Sequence, residues 1–210
     1  MNFFAHACLA AEHRPEAAFV FGAMLPDLAS MAGLRVTHVA HAAADAGRRF
    51  HYRTDAAFHG AERFQSLCTA ATRALEAAGL RRGPARAIGH VGVELLLDGW
   101  LAGERGIPSL YGEALALGPA LAPDLRFRGS GDGALLLELC ERVGAAPLEP
   151  GAWCEPERLT ARLVRILSRR PRLAPEASEL PALRAWAVDA RGTVARAAPA
   201  LLDEVWRALR

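Results

Sequence analysis

The chain has 210 residues, 52% of them apolar and 23% charged, which is ordinary globular usage and excludes wholesale disorder, collagen-like repeats and long coiled coils. A formal net charge of +2 gives no reason to expect nucleic acid as the main partner. All 25 cations are Arg, a bias from which no function follows.

The opening Met1-Asn2-Phe3-Phe4-Ala5-His6 lacks a positive stretch before its apolar residues, and Glu12, His13 and Arg14 soon interrupt them, so no secretory signal is expected. The most apolar later window, 17 to 34, is broken by Pro26-Asp27 and too polar at its centre for a membrane span, so the expectation is a cytoplasmic protein. Helical spacing predicts α-helices over 14–24, ending at Leu25-Pro26, over 51–79 with Gly79 as C-terminal cap, and over 84–102 with Pro84 in the first turn. Further helices are expected over 130–143, 156–169 and 182–209, separated by Pro/Gly-rich stretches. No Val/Ile/Thr-rich alternation is strong enough to predict a sheet. The fold class expected is therefore all-α, a multi-helix bundle forming one domain, with residues 1–105 as the site-bearing half and 106–210 as helical scaffold or cover. In that second half Trp153, Trp186 and Trp206 read as core. Cys8, Cys68, Cys140 and Cys154 are far apart, without a CxxC pair, and suit reduced core thiols.

All seven histidines lie in the first 90 residues, so that half is expected to hold a metal or acid/base site. His51-x-x-x-Asp55-x-x-x-His59 stacks three ligand-type side chains on nearly one helix face. The rise from His51 to His59 is about 12 Å, which suits two ions sharing Asp55, or one ion and a substrate contact. His90-x-x-x-Glu94-x-x-x-Asp98 forms a polar stripe in a Val/Leu-rich segment, where charge is costly unless paired or metal-bound, and Gly89 and Gly92 would admit a close partner helix. Asp27, just past the expected helix end, and His6, in the apolar N-terminal segment, are weaker candidates. His13, His38 and His41 are read as ordinary surface or connector residues, and Arg53 as an exposed cation suited to phosphate. The competing reading of both ladders is i,i+4 ion pairing or a buried polar network around no ion, or around a structural one.

The opening Met1-Asn2-Phe3-Phe4-Ala5-His6, Pro26-Asp27, His51-Tyr52-Arg53-Thr54-Asp55 and Glu94-x-x-x-Asp98-Gly99-Trp100-Leu101 together resemble the acyl carrier protein phosphodiesterases, helical relatives of the HD-domain phosphohydrolases. The resemblance spans roughly residues 1–105 and implies a metal-dependent phosphodiesterase with manganese as its usual cofactor. Where that family has an acidic residue this chain has His59, and its Asp-His pair reads Asp98-Gly99. The helix-borne His-x-x-x-Asp and His-x-x-x-Glu are more distantly similar to the zinc-dependent phospholipase C and single-strand nuclease group. Both likenesses imply hydrolysis of a phosphoester, either a small one or a phosphopantetheinyl carrier protein, by divalent ions, two in number and zinc, manganese or iron in kind. The expected metal ligands are His6, Asp27, His51, Asp55, His90 and Glu94. Asp27 or Asp98 is expected as the catalytic base, and Arg53 and His59 as contacts to substrate phosphate.

Overall fold

The computed structural model describes residues 1–129, 133–146 and 149–210. It is all-α apart from one two-stranded sheet: ten α-helices among the described residues, with the last two built from the C-terminal third. None is long and apolar enough to cross a membrane. The chain divides into two compact units, residues 1–56 with 107–148 and residues 57–106 with 149–210, so each unit draws on both sides of residue 105.

The first unit contains α1 (Phe3–His13), α2 (Ala17–Met31), β1 (Leu34–Val39) and the body of α3 (Ala42–Gly60), then α6 (Leu110–Ala116), α7 (Gly118–Leu121), β2 (Leu125–Gly129) and α8 (Gly133–Ala145). Helix α2 does not stop at Leu25-Pro26 as expected. It runs five residues past Pro26, because Phe19, Val20, Phe21, Met24, Leu25 and Leu28 bury one continuous apolar surface, and that burial outweighs the single hydrogen bond a proline removes. Asp27 is thus inside a helix and not beyond its end. Strands β1 and β2 pair antiparallel, with Leu34 opposite Gly129 and Val39 opposite Leu125, and a bulge between Val36 and His38. The expectation of no sheet fails here. Five and six residues are too short to show period-two patterning, and Arg35, Arg126 and Arg128 occupy solvent-facing positions that sequence alone does not distinguish from loop. Helix α1 was not among the expected elements; it is held by Phe4, whose ring meets Tyr111 edge-on at 5.4 Å.

The expected helix over 51–79 is two helices. Its first part starts earlier, at the Ala-rich 42–44, and ends at Gly60, where glycine weakens the helix and Ala61 turns extended. The second part is α4 (Glu62–Ala77), in the second unit. Gly79 does close α4, at φ +96°, with its N–H on Glu76 O and the Leu80 N–H on Leu75 O, a Schellman cap sealed by buried Leu75 and Leu80. The other helices of this unit are α5 (Arg82–Glu104), α9 (Pro156–Leu167) and α10 (Leu180–Leu209), close to the expected 84–102, 156–169 and 182–209. A Cβ on Gly89 would meet Thr72 of α4, and one on Gly92 would meet Trp186 of α10, so both glycines serve close helix approach. Trp186 is buried, Trp153 and Trp206 are half-buried, and all four cysteines are free thiols, three of them buried. The first three residues of the expected 130–143 helix lie outside the described residues; the remainder is within α8.

Candidate metal centre

In the first unit, α1 supplies His6, α2 supplies Asp27 and α3 supplies His51, with one ligand atom from each lying within 4.8 Å of the others. This closeness depends on how α2 meets α3. A Cβ on Gly22 would overlap the Ala44 carbonyl and one on Gly47 would overlap the Phe19 carbonyl, so reciprocal glycines let the two backbones touch. His51, one turn beyond Gly47, then reaches across to α2, where its Nδ1 lies 2.9 Å from Ala23 O. A carbonyl only accepts, so Nδ1 carries the proton and Nε2 keeps its lone pair. Pro26, lacking an N–H, interrupts the ladder of α2 beside this carbonyl.

His6 is fixed in the same way. Its Nδ1 is 2.9 Å from Thr54 Oγ1. Thr54 has one hydroxyl proton, and with that proton on the carbonyl of Phe50 or His51, at 3.0 and 2.9 Å, Oγ1 accepts from the His6 ring. His6 Nε2 therefore bears a lone pair, and that atom is buried without a hydrogen-bond partner. The two imidazoles lie 3.9 Å apart between ring centres. Burial, opposed by Asp55 and reinforced by the nearby His51, pushes the His6 pKa down to about 3, and burial likewise takes His51 to about 4. Both rings are neutral at pH 7, the form that binds metals. Asp27 is half-buried, with Oδ2 shielded from solvent. Asp55 stands at the rim, its Oδ1 3.8 Å from His6 Nε2 and 3.1 Å from the Met1 amino group. Two imidazole nitrogens and a carboxylate, with a second carboxylate at the edge, form a mixed N/O donor set suited to zinc, manganese or iron, and three protein ligands leave a position for water.

The second unit holds a different group, formed by His59 from the last turn of α3 with His90 and Glu94 from α5. His59 Nε2 and His90 Nε2 lie 3.3 and 3.2 Å from the same oxygen, Glu94 Oε1, and the rings stack at 5.1 Å within 6° of parallel. Glu94 is buried, which by itself would raise its pKa. The hydrogen bonds from His59 and His90 outweigh this and hold the carboxyl well below the usual carboxylate range. Burial and then the Glu94 charge push the pKa of nearby Cys68 up to about 12, so its thiol is protonated at neutral pH.

The expected ligands thus fall into two groups, each within its own unit. His51 joins His6 and Asp27, while His90 and Glu94 join His59, the residue expected to touch phosphate. Asp98 is buried in α5 and belongs to neither group, and Arg53 is exposed on α3. Sequence reading missed Thr54 and the Ala23 carbonyl, which fix the two tautomers. The only signal for Thr54 was a hydroxyl three residues after His51 in a segment otherwise polar. No known protein family, curated protein or solved structure matches the chain.

Proposed function

We propose that the chain is a metal-dependent phosphoester hydrolase whose ion is held by His6, Asp27 and His51, with Asp55 at the open edge. One observation carries the reading. Two buried neutral imidazoles have their Nδ1 protons committed to Ala23 O and Thr54 Oγ1, which leaves both Nε2 lone pairs for a common ligand beside a carboxylate, and His6 Nε2 makes no hydrogen bond, with Asp55 Oδ1 standing 3.8 Å away. A purely structural packing role would leave that buried nitrogen at a cost of about 1–3 kcal/mol.

A divalent ion bound there supplies a water acidified toward neutral pH and positive charge for phosphoryl oxygens. The chain's own residues do the rest. Thr54 and Ala23 hold the rings in the ligating tautomer, and Asp55, 37% exposed, is placed to take a proton from a water at the open side. The phosphoester class, small or carried on a phosphopantetheinyl protein, is the one the resemblance to carrier-protein phosphodiesterases implies. His59, His90 and Glu94 are accounted for as a polar network centred on the buried Glu94, because both ring nitrogens nearest Glu94 already bond to it.

The test is metal content and hydrolysis of bis(p-nitrophenyl) phosphate by EDTA-stripped protein refilled with Mn²⁺, Zn²⁺ or Fe²⁺. The expected result is one ion per chain and hydrolysis that EDTA abolishes, both lost in His51→Ala. Wild-type protein that takes up none of the three ions, or hydrolysis indifferent to EDTA, refutes the proposal.

A further inference from the structure

The second unit contains a cleft of about 600 Å³ between α4 and α5, within the size range of small-molecule sites. Arg82, Arg86 and His90 follow one another at four-residue steps on α5, so they line a single face along a rise of about 12 Å. Arg73 faces them from α4, His59 joins His90 at one end, and Glu76 is the lone acid of the lining. Neighbouring Arg81 is tied to Glu176 and Glu179, whereas no ion pair ties Arg73, Arg82 or Arg86 among the described residues. Three unneutralised guanidinium groups along one cleft repel one another. The arrangement is stabilised when an anion fills it, and the guanidinium fork matches phosphate oxygens two at a time. Against three guanidinium charges the lining supplies one negative charge, from Glu76, and Glu94, which does not line the cleft, accepts hydrogen bonds from His59 and His90. A row of cations this long, with a net excess of about two charges, fits more than one phosphate group.

From this we infer that the α4–α5 cleft binds a ligand bearing two or more linked phosphates, gripped by Arg73, Arg82 and Arg86, and that it does so without a metal ion. The site draws on residues of the second unit alone and stands whether or not the His6–Asp27–His51 centre hydrolyses anything.

Isothermal titration of the full chain in EDTA with inorganic pyrophosphate and with orthophosphate tests it. Pyrophosphate is expected to bind saturably, at one per chain, at least tenfold tighter than orthophosphate. The double variant Arg82→Ala/Arg86→Ala is expected to weaken it at least tenfold, while Arg165→Ala/Arg169→Ala, exposed on and just past α9, leaves it unchanged. Circular dichroism on each variant confirms that the fold persists. Absence of saturable binding, equal weakening by both double variants, or binding that appears only on adding Mn²⁺ would overturn the inference.

Discussion

Replacing Gly47 by Ala isolates the contact on which the proposed metal centre depends. The added methyl would overlap Phe19 O and stand 2.9 Å from Ala23 N, where ordinary contact begins at 3.4 Å. Both obstacles are backbone of α2, so no side chain can turn aside, and the helices must part by roughly 1 Å to relieve the repulsion. His51 Nδ1 sits 2.9 Å from Ala23 O, one turn further along, so the same movement takes that bond past the 3.5 Å limit of a useful hydrogen bond. Overpacking costs about 1–3 kcal/mol and the broken buried bond about 1–3 more. The opposing gain from replacing glycine in a helix is about 1 kcal/mol, so the clash wins by about 3 kcal/mol. For a chain of this length that lowers the thermal midpoint by roughly 6–12 °C. Gly103→Ala, in α5 with nothing within 4 Å of the new methyl, is the matched control and should raise the midpoint slightly. Melting followed by circular dichroism, with EDTA and then with Mn²⁺, reads both the stability and the metal-induced shift. A Gly47→Ala protein that melts at or above wild type and keeps its full Mn²⁺ shift would refute the argument.

Thr54→Val keeps the shape of a buried residue but removes the acceptor for the His6 Nδ1 proton, so metal affinity should fall about 10–100-fold with a modest loss of stability, read by Mn²⁺ titration. Unaltered affinity would mean that Thr54 does not set the tautomer. Without metal, stability should decline as pH falls from about 6.5 to 4. His6 and His51 titrate near 3 and 4 in the fold but near 6.5 when unfolded, so the unfolded chain takes up protons first, costing roughly 3 kcal/mol for each histidine. A thermal midpoint in EDTA that stays level from pH 7 to 5 contradicts this. Glu179 is held to about 2 chiefly by Arg81, which binds it through two side-chain nitrogens at 3.1–3.2 Å and its backbone N–H at 2.8 Å. Its contribution is present above pH 4.5 and lost as pH falls toward 2. With Arg81 47% exposed, Glu179→Gln should cost only about 1–2 kcal/mol at pH 7 and nothing at pH 2, measured by urea unfolding. An equal cost at both pH values would show that the loss is not one of charge.

Local pattern was enough to read the long helices. In α9 the buried Leu159, Leu163 and Leu167 recur every fourth residue, and in α5 and α10 the apolar periodicity is as plain, because a helix that buries one face must repeat its apolar residues at that spacing. Gly79 was legible as a cap since the left-handed conformation it adopts suits glycine. The ligand types were legible too, as histidine and carboxylate at four-residue steps. Their partners were not. His51 and His59 share one helix, yet one meets His6 and Asp27, residues 45 and 24 positions before it, while the other meets His90 and Glu94 far downstream. Helical spacing states which side chains share a face, and it carries no information on what that face will meet. That was decided by the crossing of α2 over α3 at Gly22 and Gly47, by burial strong enough to carry α2 through Pro26, and by the Ala23 carbonyl and Thr54 hydroxyl, which give each ring its tautomer. These are all contacts between residues distant in the chain, so they exist only once the tertiary structure has formed.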